Sequence, residues 1–157
     1  MPLEKQPPLA KVYEAYSAVA DERIIIKDNE AYVTSSDYSK TYTIRFHDST
    51  YSSNDSATIW QHYPGYPILA VWMKQGILPY AGELLPWFKG INWKALNKKY
   101  HNRYDDAIES FLKDIEQQGK NISQLQDILH KTLQVACSLD MNIKGNRAPM
   151  KKKEDES

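Results

Sequence analysis

A chain of 157 residues whose 20 basic and 20 acidic side chains cancel has no global field to draw nucleic acid or an anionic membrane toward it. Hydrophobic content of 41% and charged content of 25% exclude a disordered or fibrous class and fit one folded domain, which at this length buries ~68–70% of its unfolded surface without staples. Cys137 is the only cysteine, so no intrachain disulfide forms, and no run of apolar residues reaches the ~18 needed for a transmembrane helix. The opening MPLEKQPPLAK lacks the apolar core of a signal peptide, so the expected location is the cytoplasm.

Residues 1–7 read as a flexible, proline-flanked lead-in to a domain over 8–141. A first helix is expected from Pro8 to Ala20, with Leu9, Val12, Tyr13, Tyr16, Val19 and Ala20 on one face. The period then changes. Arg23–Lys27 is a β-branched run closed by the turn formers Asp28-Asn29, and Ala31–Ser35 is its antiparallel partner. Thr41–Phe46 alternates strictly, which places Tyr42, Ile44 and Phe46 on a covered face and Thr41, Thr43 and Arg45 on a wetter one. A short fourth strand around Thr50–Ser52 completes a meander.

The stretch from Trp60 to Phe88 is dense in aromatics and broken by Pro64, Pro67, Pro79 and Pro86. It predicts short helices: Ala57–Tyr63 with Asp55 or Ser56 as cap, one opened by Pro67 and closed by Gly76, and one over Ala81–Lys89 in which Pro86 sits badly. Asn92 caps a helix carrying Trp93, Leu96 and Tyr100, which continues or restarts near Tyr104 and ends at Gly119. A last helix runs from Ile122 to about Leu139. From Asn142 to Ser157 little is available to bury, and a disordered charged tail is expected. The fold class is α+β: an N-terminal helix, a three- to four-stranded antiparallel meander, and a predominantly helical C-terminal half on one sheet face.

Each candidate chemistry has a structural competitor. Ser53, with His62 and Asp48 or Asp55 nearby, supplies the residue types of a hydroxyl nucleophile and its base, but no G-x-S-x-G elbow is present and caps explain the same residues. His47, Asp48 and His62 match no metal-ligand spacing, so no metal site is assigned. The carboxylates Asp105, Asp106 and Glu109 are explained by a helix start. Lys89–Tyr104 interleaves Lys94, Lys98, Lys99 and Arg103 with aromatics, as single-strand nucleic-acid binders do, yet Trp93, Leu96 and Tyr100 have core spacing. No glycine-rich phosphate loop occurs, so no nucleotide cofactor is implied.

The reading that follows is a binding or protein-interaction domain without catalysis. Its partner is a protein or small molecule met by an aromatic surface or cleft at Trp60, His62, Tyr63, Tyr66 and Tyr80. Weak nucleic-acid binding through Lys89–Tyr104 is the alternative, and a small hydrolase using Ser53 and His62 the second. Either a monomer or a homodimer fits.

Overall fold

The computed structural model describes residues 3–152. Helix α1 (Leu9–Ala20) is followed by strands β1 (Ile24–Lys27), β2 (Glu30–Thr34), β3 (Lys40–His47) and β4 (Thr50–Ser53). These four strands form the expected antiparallel meander. Two of its turns are two-residue hairpins, Asp28-Asn29 between the paired Lys27 and Glu30, and Asp48-Ser49 between His47 and Thr50. Asp28 and Asp48 take positive φ there, a conformation Asp and Asn tolerate and one that matches strand twist.

The helical half follows. A short π-helical turn (Ala57–Gln61) stands where an ordinary helix to Tyr63 was expected, and it ends on left-handed His62. Helix α2 (Tyr66–Lys74) is buried from Pro67 through Met73, with Pro67 in its first turn. Helix α3 (Leu85–Phe88) starts late enough that Pro86 also falls in a first turn, where its missing N–H costs nothing. Helix α4 (Trp93–Lys99) is capped by the Asn92 side chain, and α5 (Tyr104–Gln117) restarts after the left-handed pair His101-Asn102. Helix α6 (Ile122–Ser138) is capped by Asn121. Among the described residues no helix is long and apolar enough to cross a membrane.

Helix α1 is the axis of the molecule. An amphipathic stripe was expected of it, but every residue from Val12 to Ala18 is buried, because α2, α3, α5 and α6 all pack around it. Ala10, Ala15 and Ala18 are small enough to let these neighbours approach. One consequence is that Glu14 and Ser17, polar residues with no exposed side to turn to, lie inside.

The C-terminal segment differs from the expected disordered tail. Asn142–Gly145 is a strand, β5, that pairs in parallel with β4 from Thr50↔Asn142 to Ser53↔Gly145. The whole helical half is the crossover such parallel pairing needs. Gly145 lets the end of β5 pass close to the π-helical turn, since a Cβ there would meet Ile59 Cγ1 at 3.0 Å. Lys151-Lys152 (β6) then pairs with the start of β3. Between β4 and β6, side-chain amides replace the ladder. Thr43 N–H donates to Asn54 Oδ1 (2.9 Å), and Asn146 Nδ2 donates to Thr43 O (3.1 Å) and Ser52 Oγ (3.1 Å). Thr41 and Thr43, expected on a wetter face, are therefore buried, and of that trio only Arg45 is exposed. The remainder of the expected tail, 153–157, lies outside the described residues. The lead-in is anchored too: Leu3 is buried and its N–H donates to Cys137 O (3.2 Å).

Candidate functional site

A cavity of about 220 Å³ opens where α1, the β2–β3 loop, β3 and α4 meet. Its buried wall is polar. Glu14 comes from the middle of α1, Arg23 from the turn between α1 and β1, Tyr42 from β3, Asp55 from the end of β4, and Tyr66 from the start of α2. Lys11, Lys40 and Lys94 also border it.

Arg23 is only 4% exposed. Its guanidinium is fixed by two bonds: Nε donates to Asp21 Oδ2 (3.3 Å) and Nη1 to Thr34 O (2.6 Å). Its Nη2 meets no partner with hydrogen-bond geometry among the described residues, although the Tyr66 hydroxyl lies close enough to the guanidinium to be influenced by it. Glu14, 9% exposed, is held from the other side. Asn97 Nδ2 donates to Oε1 (3.1 Å), while Oε2 makes no hydrogen bond and has the Lys11 ammonium 3.7 Å away. A buried donor or acceptor without a partner costs about 1–3 kcal/mol, more when charged. Two of opposite character border one cavity.

Burial raises the Glu14 carboxyl above its ordinary range, against the opposing pull of Lys11, Asn97 and Arg23, and the Asp55 carboxylate adds to the rise. Tyr42 and Tyr66 meet edge to face, ring centres 6.2 Å apart. Desolvation, then the carboxylates of Asp55 and Glu14, pushes the Tyr42 phenol up to about 12. Tyr66 lies well above its usual value, from burial first and then from Tyr42 and Glu14, although the Arg23 guanidinium beside it pulls the other way. Both phenols therefore stay protonated across the physiological range and offer O–H groups.

The sign of the Glu14 shift makes a prediction. The folded state holds this proton to higher pH than the unfolded chain does. Stability from that proton is complete at acid pH and is lost as pH rises from the ordinary glutamate value through the raised one. Glu14→Gln keeps the acceptor for Asn97 and removes the charge. Its melting temperature relative to the parent is expected to be higher at pH 8 than at pH 4 by a few degrees, at ~2–4 °C per kcal/mol for a chain of this size. A difference that does not change with pH rejects the buried charge.

The residues singled out in the sequence fall in different places. Of the aromatic group only Tyr66 borders the cavity. Trp60 is 74% exposed beside exposed His62. Tyr63 is half-buried with Lys5 Nζ 5.9 Å above its ring, and Tyr80 packs edge-on against Tyr16. Trp72 is fully buried, whereas Trp87 is half-buried under Lys120. In the basic segment, Lys94 bonds Ser39 Oγ (3.2 Å) and lies 3.6 Å from Asp37, and Arg103 bonds Asp106 (2.8 Å). Lys98 and Lys99 are exposed, the latter over Tyr100. Ser53 is buried with its hydroxyl donated to Asp55, and among the described residues no hydrogen bond joins it to His62.

Sequence reasoning passed over Glu14, Arg23, Tyr42 and Asn97. One signal was available for the first: Lys11 and Glu14 are the only charges in an otherwise apolar, alanine-rich α1. Among the described residues no group of three or more His, Cys, Asp or Glu could hold a metal ion.

No curated protein and no solved structure matches the chain. A family model matches residues 4–142, a span that takes in every cavity residue named above, and by that match the chain belongs to the family described as uncharacterised conserved protein UCP014422.

Proposed function

We propose that this chain is a binding domain for a small polar molecule, held in the cavity between α1, β3 and α4. One observation supports this reading most: Glu14 and Arg23 both border the cavity, and their buried Oε2 and Nη2 make no hydrogen bond among the described residues, Oε2 having only the Lys11 ammonium 3.7 Å away. Native proteins keep few such groups, and a ligand that pairs them accounts for their retention. The protonated phenols of Tyr42 and Tyr66 add orientation, the usual role of a few polar groups in a ligand pocket. At ~30 Å³ per water, the volume holds about seven waters. That suits a metabolite of modest size rather than a nucleotide.

Recognition was expected at Trp60, His62, Tyr63, Tyr66 and Tyr80, and of these Tyr66 alone borders the cavity. The aromatic surface at Trp60, Tyr63 and Tyr80 is a less favoured place for it, since these side chains do not line the cavity that Tyr66 borders.

Native mass spectrometry on gently purified protein tests the reading. A retained small molecule is expected, absent or reduced in Arg23→Gln and in the milder Tyr42→Phe. Retention that both variants leave intact would move the site elsewhere. A bare mass, with no rise in melting temperature on adding a metabolite extract, would overturn it. A ligand at a hundred times its Kd stabilises by about 2.7 kcal/mol, which a melt detects.

A further inference from the structure

Resting on the binding reading above, we infer that the ligand is a zwitterion of the α-amino acid class, its carboxylate met by Arg23 and the tyrosine hydroxyls and its ammonium by Glu14.

The first argument is the character of two buried atoms that make no hydrogen bond among the described residues. Arg23 Nη2 is a donor and Glu14 Oε2 an acceptor. The two groups lie close enough for each charge to act on the other, and both act on Tyr66. One ligand that satisfies both must carry an acceptor and a donor. A bare anion leaves Glu14 Oε2 with only the Lys11 ammonium 3.7 Å away and faces the carboxylate's repulsion, and a bare amine faces that of the Arg23 guanidinium.

The second argument is how much of Arg23 is available. Its Nε and Nη1 are already engaged by Asp21 and Thr34. One nitrogen remains, so Arg23 offers a single donor rather than the two-pronged grip it can give carboxylate or phosphate, and the lone donor supplies little compensation for a doubly charged group. A singly charged carboxylate, completed by O–H donors from Tyr42 and Tyr66, fits what is left.

The third argument is charge balance. Lys11, Arg23, Lys40 and Lys94 border the cavity, as do the acids Glu14 and Asp55. Asp21 and Asp37 hold Arg23 and Lys94 from just outside. Four positive groups meet four negative ones, so the site favours a ligand with no net charge but separated ends. Burial shifts Glu14 toward its protonated form, but an ammonium seated beside it favours the carboxylate, so binding should strengthen as pH rises from about 4 toward neutrality.

The test is a melt and calorimetric titration of the full chain against each standard amino acid. Acetate, methylamine, L-lactate and inorganic phosphate serve as single-feature probes. At least one amino acid is expected to saturate the site, with acetate, methylamine and phosphate silent. Glu14→Gln should lose at least tenfold in affinity while remaining folded and no less stable at pH 8. Tyr42→Phe should lose a few-fold. If L-lactate or acetate binds as tightly and Glu14→Gln is indifferent, the ammonium assignment falls and the cavity reading stands. If no probe binds but native mass spectrometry shows a retained molecule of another class, the amino-acid class falls alone. If nothing binds and nothing is retained, both fall.

Discussion

Asp55→Ala is expected to destabilise the fold by about 3–5 kcal/mol, because it breaks a buried hydrogen-bond network and strands its donors. Asp55 is 5% exposed and organises the chain as it leaves β4. Ser53 Oγ and Thr58 Oγ1 (2.8 Å) donate to Oδ1, and Thr58 N–H (3.1 Å) donates to Oδ2. Thr58 Oγ1 then accepts from Gly65 N–H (3.1 Å). Alanine would leave three buried donors without an acceptor, each at a cost of about 1–3 kcal/mol before relaxation. The site is also closed to rearrangement, because a Cβ at Gly65 would stand 2.1 Å from Asp55 Oδ2. Asp55→Asn, which keeps one acceptor oxygen, should lose less. Urea unfolding checks this: the midpoint should fall with little change in m. A loss below about 1 kcal/mol would show that the network is replaced by water at small cost.

Phe88→Ala should cost about 3–5 kcal/mol by a different route, a cavity in the most aromatic part of the core. Phe88 is fully buried. Its ring centre lies 5.2 Å from Tyr16, 6.0 Å from Tyr13 and 5.0 Å from Phe111. Trp93 joins the same cluster through Phe111 at 5.3 Å, and its Nε1 donates to Ser17 Oγ (2.6 Å). These rings fasten α3, α4 and α5 to α1, and α4 also carries Asn97 to Glu14. The variant should therefore weaken binding at the cavity as well as stability, since α4 would no longer be held in one position. Phe88→Leu, which refills part of the volume, should recover most of both. Equal stability in the alanine variant, measured by thermal and urea melts, would mean that the helices close the gap.

Local signals in the chain were enough to place most elements. Periodicity placed α1, the meander, α5 and α6. Asn92 capped the helix it was expected to cap, the last helix began at Ile122 as expected, and Asp28-Asn29 made its hairpin. Each of these depends on residues within a few positions of one another, where hydrogen bonding and backbone preference act directly. Even Pro86 is resolved locally, since a helix that begins at Leu85 rather than Ala81 puts it in a first turn.

The site and the completed sheet depend on contacts between distant parts of the chain. Glu14 is buried because four helices surround α1, and its partner Asn97 arrives from α4. Arg23 reads as the edge of a strand until Asp21 and Thr34 close around it. The segment after Asn142 has too little apolar surface to order itself, yet it pairs with β4 because that edge offers backbone partners, and Asn54 receives it at Ala148 (3.0 Å). Side-chain periodicity records which face of an element is apolar. It does not record how many neighbours arrive, and that number decides whether a lone carboxylate on a helix meets water or closes a cavity.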